Sequence, residues 1–141
     1  MNTVKVMEVE KPLWGKEEII VNTDDYCGKK LHIREGHRFS LQFHKIKDET
    51  FYVEKGLILL EKGEDGEAEK NPKVIKHIVL KEGDIMRIPQ YTIHRCGSLK
   101  GESTIIEVST HHEDSDTYKL DSNSIIPQEL MKKYNMEKYS K

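Results

Sequence analysis

The 141-residue chain predicts one all-β domain that ends in a short C-terminal helix. Three observations carry this. Apolar and polar residues alternate with a period of two in successive runs between residues 3 and 109, and turns rich in Gly, Pro, Asn and Asp separate those runs. After Asp121 the apolar spacing becomes helical. The expected division is a β domain over 1–122 and a helical tail over 123–141.

Taken in order, TVKVMEV over 3–9 reads as a first strand, an edge suited to pairing with another subunit. Trp14 and Gly15 lead into EEIIVNT, and Trp14 reads as a core or interface plug in preference to a ligand-stacking ring. KKLHIRE follows Gly28, with Lys29, Leu31 and Ile33 on one face and Lys30, His32 and Arg34 on the other. A lysine on an apolar face is costly without an anion. Lys29 therefore either meets an anion or carries its amine out to solvent at the strand end.

Residues 36–56, GHRFSLQFHKIKDETFYVEKG, read as a hairpin: alternation sets Arg38, Ser40, Gln42 and His44 against Phe39, Leu41 and Phe43. A charged turn over Lys45–Asp48 returns Glu49 beside His44. LILL is a buried strand, the charged EKGEDGEAEKNPK a solvated loop, and VIKHIVLKEGD a further strand. In GDIMRIPQYTIH a short strand stops at Pro89 and His94 opens the next; STIIEVST is the closing strand. Ile105, Glu107 and Ser109 share one of its faces. The tandem His111–His112 amid acidic residues reads as an exposed pair without metal. Ser124, Pro127 and the spacing of Leu130, Met131 and Tyr134 predict the helix.

Gln42, His44, Glu49 and His94 are the candidate metal ligands. Two neutral imidazoles, a carboxylate and an amide oxygen suit one borderline divalent ion, Zn first and Mn, Co, Ni or Fe otherwise, and leave coordination positions open. Arg38 and Ser40, on the same predicted stripe, are candidate substrate contacts, Arg38 because its planar fork suits a phosphate or a pair of hydroxyls.

The composition, 35% hydrophobic and 34% charged with net charge −2, fits a soluble globular protein. No strongly basic face is evident, which excludes nucleic acid, and no apolar run is long enough to span a bilayer. The acidic N-terminal stretch lacks a signal peptide's apolar centre, so the expected location is the cytoplasm. Cys27 and Cys96 lack CxxC spacing and are expected reduced, Cys96 as a small buried hydrophobe.

Gly36, Gln42, His44, Glu49 and Gly56, followed by Gly83, Pro89 and His94, resemble the paired motifs of the cupins, with Gln42 in place of the first His and Tyr91 and Ser98 departing from the second motif. The words RFSLQFH, IPQYTIHR, IIEVS and KPLWGKEEII are similar to the mannose-6-phosphate isomerase domain of bifunctional guanylyltransferase/isomerase enzymes, over roughly residues 11–115. That resemblance implies a jelly-roll β-barrel, a homodimer, a sugar or sugar-phosphate ligand and aldose-ketose isomerisation through an enediolate. Lys29, which matches a lysine of that domain, and Arg38 are then the cations for the developing charge or a phosphate. Glu107 is the base if it faces inward. A metal-containing cupin that binds a sugar or small acid without turnover is the alternative.

Overall fold

A computed structural model describes residues 6–135. Eleven strands run in chain order: β1 (Met7–Lys11), β2 (Gly15–Asn22), β3 (Cys27–Ile33), β4 (Leu41–His44), β5 (Glu49–Lys55), β6 (Leu57–Lys62), β7 (Lys76–Lys81), β8 (Ile85–Ile88), β9 (His94–Ser98), β10 (Ser103–Ser109) and β11 (Thr117–Asp121). Among the described residues one α-helix, α1 (Gln128–Tyr134), follows. The strands form two antiparallel sheets, one in the order β1-β2-β3-β10-β5-β8 and the other β11-β4-β9-β6-β7. This is the expected all-β jelly-roll barrel with its short helix. Residues 3–5 of the first expected strand lie outside the described residues, and β1 is an edge strand.

Inward residues of both sheets make the core. Leu31 and Ile33 of β3, Phe51 and Val53 of β5, Ile58 and Leu60 of β6, Cys96 of β9 and Ile105 of β10 interlock around Phe39. A second cluster lies outside the smaller sheet. Leu57, Leu59, Leu99 and Ile126 are covered there by Leu130, Met131 and Tyr134 of α1, the helical stripe read from the sequence. Both cysteines are free and buried.

Three expectations need correction. Residues 36–56 are not a hairpin, because β4 belongs to the smaller sheet and β5 to the larger. The 45–48 turn crosses between the sheets, and the Asp116 carboxylate holds it by accepting the backbone N–H groups of Lys45, Ile46 and Lys47. The closing strand is β11, beyond the expected one; it pairs with β4 and is exposed except for Thr117. The charged loop after β6 is not merely solvated. Ala68 is buried against Phe43 and Ile93, and its N–H donates to the carbonyl of Tyr91.

Tyr91 stands where the cupin motif has glycine, and it adopts φ = 57°, a left-handed backbone that costs a side chain about 1–2 kcal/mol. Its N–H donates to the carbonyl of His44 at 2.7 Å, which ties the loop before β9 to the end of β4.

Candidate metal centre

His44 ends β4, His94 opens β9 in the same sheet, and Glu49 opens β5 in the facing sheet, so the crossing turn brings one carboxylate against two imidazoles. His44 Nε2 and His94 Nε2 stand 3.1 and 3.2 Å from the same oxygen, Oε2 of Glu49. No more than 3% of any of the three residues is exposed. In each ring the other nitrogen faces a backbone carbonyl: Nδ1 of His44 lies 3.1 Å from the oxygen of Asp116, and Nδ1 of His94 lies 2.9 Å from that of Thr92.

A carbonyl only accepts, so each Nδ1 carries the proton and the neutral ring turns a bare lone pair toward Glu49. Three acceptor atoms converge in this way, and none of them has a hydrogen-bond partner. Each unpaired buried polar atom costs about 1–3 kcal/mol. A cation between the atoms removes that cost, and imidazoles anchored through Nδ1 to carbonyls are oriented as metal ligands are. The residues therefore fit a divalent ion. Burial opposes ionisation of Glu49, yet its contacts with His94 and the Lys47 ammonium outweigh burial and hold the carboxyl well below the usual carboxylate range. Gln42 is directly opposite His94 in register and lines the same cavity as Glu49.

The cavity above the centre has a volume of about 330 Å³. Glu107 faces into it and is 3% exposed, as the alternation along β10 requires once Ile105 is in the core. Lys29 is directly opposite Glu107 in register, is buried to the same extent and also lines the cavity. Its ammonium is neither in solvent nor free for a ligand, because Nζ lies 3.3 Å from Glu17.

Arg38 is the clearest correction, because it does not line this cavity. Arg38 pairs with Gly97 and Gln42 with His94, so three residues on one side face two on the other. That one-residue bulge reverses the alternation: Phe39 enters the core and Arg38 turns to the outer side of the sheet. Its guanidinium donates to Glu61 at 2.9 Å and to the carbonyl of Asn123. Arg95 joins it there on Glu61 and Asp121. Ser40 sits at the bulge and lines the cavity.

The sequence reading missed Lys47. In a charged turn beside Ile46 the apolar residue is the natural one to bury, yet Ile46 is 70% exposed and Lys47 only 3%. Its Nζ lies 3.0 Å from Glu107, 3.5 Å from Glu49 and 3.1 Å from His112 Nδ1. Burial disfavours the ammonium, but the carboxylates of Glu107 and Glu49 outweigh burial and push it above its ordinary value. His112 also lines the cavity, with Nε2 donating to Asp114 at 2.9 Å. Burial and the neighbouring Lys47 and Lys29 hold this imidazole below its ordinary value of 6.5. His111 instead contacts Thr23 and Glu113.

No protein-family model matches the chain. Mannose-1-phosphate guanylyltransferase of Salmonella muenchen is 28% identical over 126 residues, which cover 85% of this chain; the chain spans 24% of that relative's length. Among solved structures, KdgF from Halomonas sp. superposes with a TM-score of 0.62 at 20% identity, over 79% of this chain and 90% of that one. CapF, the capsular polysaccharide assembling protein of Staphylococcus aureus, superposes at 0.72 with 17% identity over 84% and 32%. Oxalate decarboxylase of Bacillus subtilis gives 0.67 with 16% identity over 85% and 33%. These structures are cupins, and the chain shares their fold. Within the described residues no helix is long and apolar enough to cross a membrane.

Proposed function

We propose that this cupin is a metal-dependent aldose-ketose isomerase acting on a sugar phosphate of the mannose 6-phosphate type. One observation carries the reading: three orphaned acceptor atoms of His44, Glu49 and His94 converge, and Glu49 lines a cavity whose wall also holds Gln42, Glu107 and Lys47. Supporting it is the mannose-phosphate relative, together with the similarity of the motif words to an isomerase domain.

His44, Glu49 and His94 would hold the ion, with Gln42 as the fourth donor, and the ion, when bound, supplies a Lewis acid for the substrate carbonyl. The chain's own residues do the rest. Glu107 is the carboxylate that takes the proton from the hydroxyl-bearing carbon next to the carbonyl and returns it to the former carbonyl carbon, while the hydroxyl proton passes to the former carbonyl oxygen, so that carbonyl and hydroxyl exchange places. Lys47, fixed by Glu107, Glu49 and His112, is a preorganised cation that shares the negative charge developing on the substrate oxygens. It takes the place expected for Arg38, which Glu61 holds on the outer side of the sheet. Lys29 and Glu17 extend the polar wall, and Phe39, Phe51 and Trp14 supply its apolar part.

The test is interconversion of mannose 6-phosphate and fructose 6-phosphate by metal-loaded protein. Turnover that disappears with chelator and with Glu107→Gln supports the reading. Metal-loaded protein that is inert toward every sugar phosphate tried, while still binding sugars saturably, replaces it with a binding module.

A further inference from the structure

A second groove of about 150 Å³ adjoins the metal cavity, and the two share Lys11, Trp14, Ser40 and Lys119 as lining residues. The shared wall places the groove directly beside the cavity that Glu49 lines. Within the described residues the groove is lined by three cations, Lys11, Arg38 and Lys119, and three hydroxyls, Ser40, Ser122 and Ser124, and by no carboxylate.

These groups differ in how far they are already committed. Arg38 is neutralised by Glu61. Among the described residues Lys11 makes one long ion pair, 3.9 Å from Glu17, which is itself 3.3 Å from Lys29. Lys119 makes no ion pair among the described residues, and the three serine hydroxyls make no hydrogen bond there. Lys119 stands opposite Gln42 in register, so its stem leaves the sheet on the cavity side. A cluster with two underused ammonium groups, several free hydroxyl donors and no carboxylate in its own lining matches a phosphate dianion, which offers oxygens to charge-assisted donors.

We infer that this groove is the phosphate subsite for the substrate of the neighbouring centre, with Lys119 and Lys11 as its charges and Ser40, Ser122 and Ser124 as its hydroxyl donors. The inference rests on the sugar-phosphate reading and makes it specific: the ligand is a phosphomonoester whose sugar end reaches the metal centre. It also assigns the phosphate's charge partners to Lys119 and Lys11 instead of Lys29 and Arg38, whose charges Glu17 and Glu61 already meet, although Arg38 still lines the groove.

Inorganic phosphate is the probe, titrated into the full chain by calorimetry or followed by phosphorus NMR, with and without chelator. Saturable binding should survive the chelator, weaken about tenfold in Lys119→Ala and again in Lys11→Ala, and return in Lys119→Arg. Both lysines are superficial, and a circular dichroism spectrum unchanged from the parent protein confirms that each variant folds. No binding, equal binding by all variants, or binding that vanishes with chelator alone overturns the inference; the last places phosphate on the metal. Because this readout needs no turnover, failures separate. Groove-dependent phosphate binding without isomerisation removes the isomerase reading and leaves the subsite, whereas isomerisation of mannose 6-phosphate with a KM indifferent to Lys119→Ala removes the subsite and leaves the isomerase.

Discussion

Replacing Lys47 by methionine tests the network behind the cavity most sharply. The ammonium lies 3.0 Å from Glu107 and 3.5 Å from Glu49, two carboxylates that are 3% and 2% exposed. Methionine keeps the bulk and removes the charge, so two buried carboxylates lose their shared cation. Breaking a buried ion pair from one side costs about 3–5 kcal/mol, because the remaining charge stays buried and uncompensated. For a chain of this size that corresponds to a fall in Tm of about 10–15 °C. The measurement is thermal and urea unfolding of chelator-treated protein. Adding Glu107→Gln to Lys47→Met removes one stranded charge and should recover a large part of the loss, giving a coupling well above the few tenths of a kcal/mol expected of independent sites. Divalent metal should recover part of it too, through Glu49. A loss below about 1 kcal/mol, or a second substitution that simply adds to the first, would refute the reasoning, since it would mean that solvent screens the ammonium as it does at a surface.

Arg38→Met should lower stability by about 3–5 kcal/mol by stranding Glu61 between fewer cations, with KM for a sugar phosphate changed little; a large KM effect without destabilisation contradicts the placement on the outer side of the sheet. Glu107→Gln should retain metal and lose about 10²–10⁴-fold in isomerase turnover, read from coupled formation of fructose 6-phosphate. His112 is held below 6.5 by burial first and by nearby ammonium groups second, so the unfolded chain takes up its proton before the folded one does. Its contribution is therefore complete above that value and is lost as pH falls through the folded value. Unfolding free energy measured across that window should decline with falling pH, and less steeply in His112→Gln; parallel slopes would exclude a role for this imidazole in the pH response.

Much of the architecture was legible because most of its strands have one buried face, and burial writes a period of two into the chain. Leu31, Ile33, Ile105 and Glu107 fell on the faces that alternation assigned them, and the buried Lys29 was visible as a lysine out of place. The three converging ligands were legible from residue type and motif spacing, since His44, Glu49 and His94 are each fixed by a strand end. What could not be read lies where regular alternation stops. A one-residue bulge before β4 leaves no mark in composition, so Arg38 was carried to the wrong face. The crossing turn hides Lys47 because its folding depends on Asp116, about seventy residues away, and not on local hydrophobicity. Strand β11 is exposed along most of its length and so lacks the apolar face that reveals a strand, yet it carries Lys119.

The central claim is that a divalent ion belongs between His44, Glu49 and His94. Metal analysis of the purified full chain, repeated after chelation and reloading and on His44→Ala and His94→Ala, tests it most directly. The account predicts about one ion per chain, lost in both variants, and a rise in unfolding free energy of about 2.7 kcal/mol when free metal reaches a hundredfold excess over its dissociation constant. Protein that takes up no metal under any loading condition, or equally much in the two variants, contradicts it.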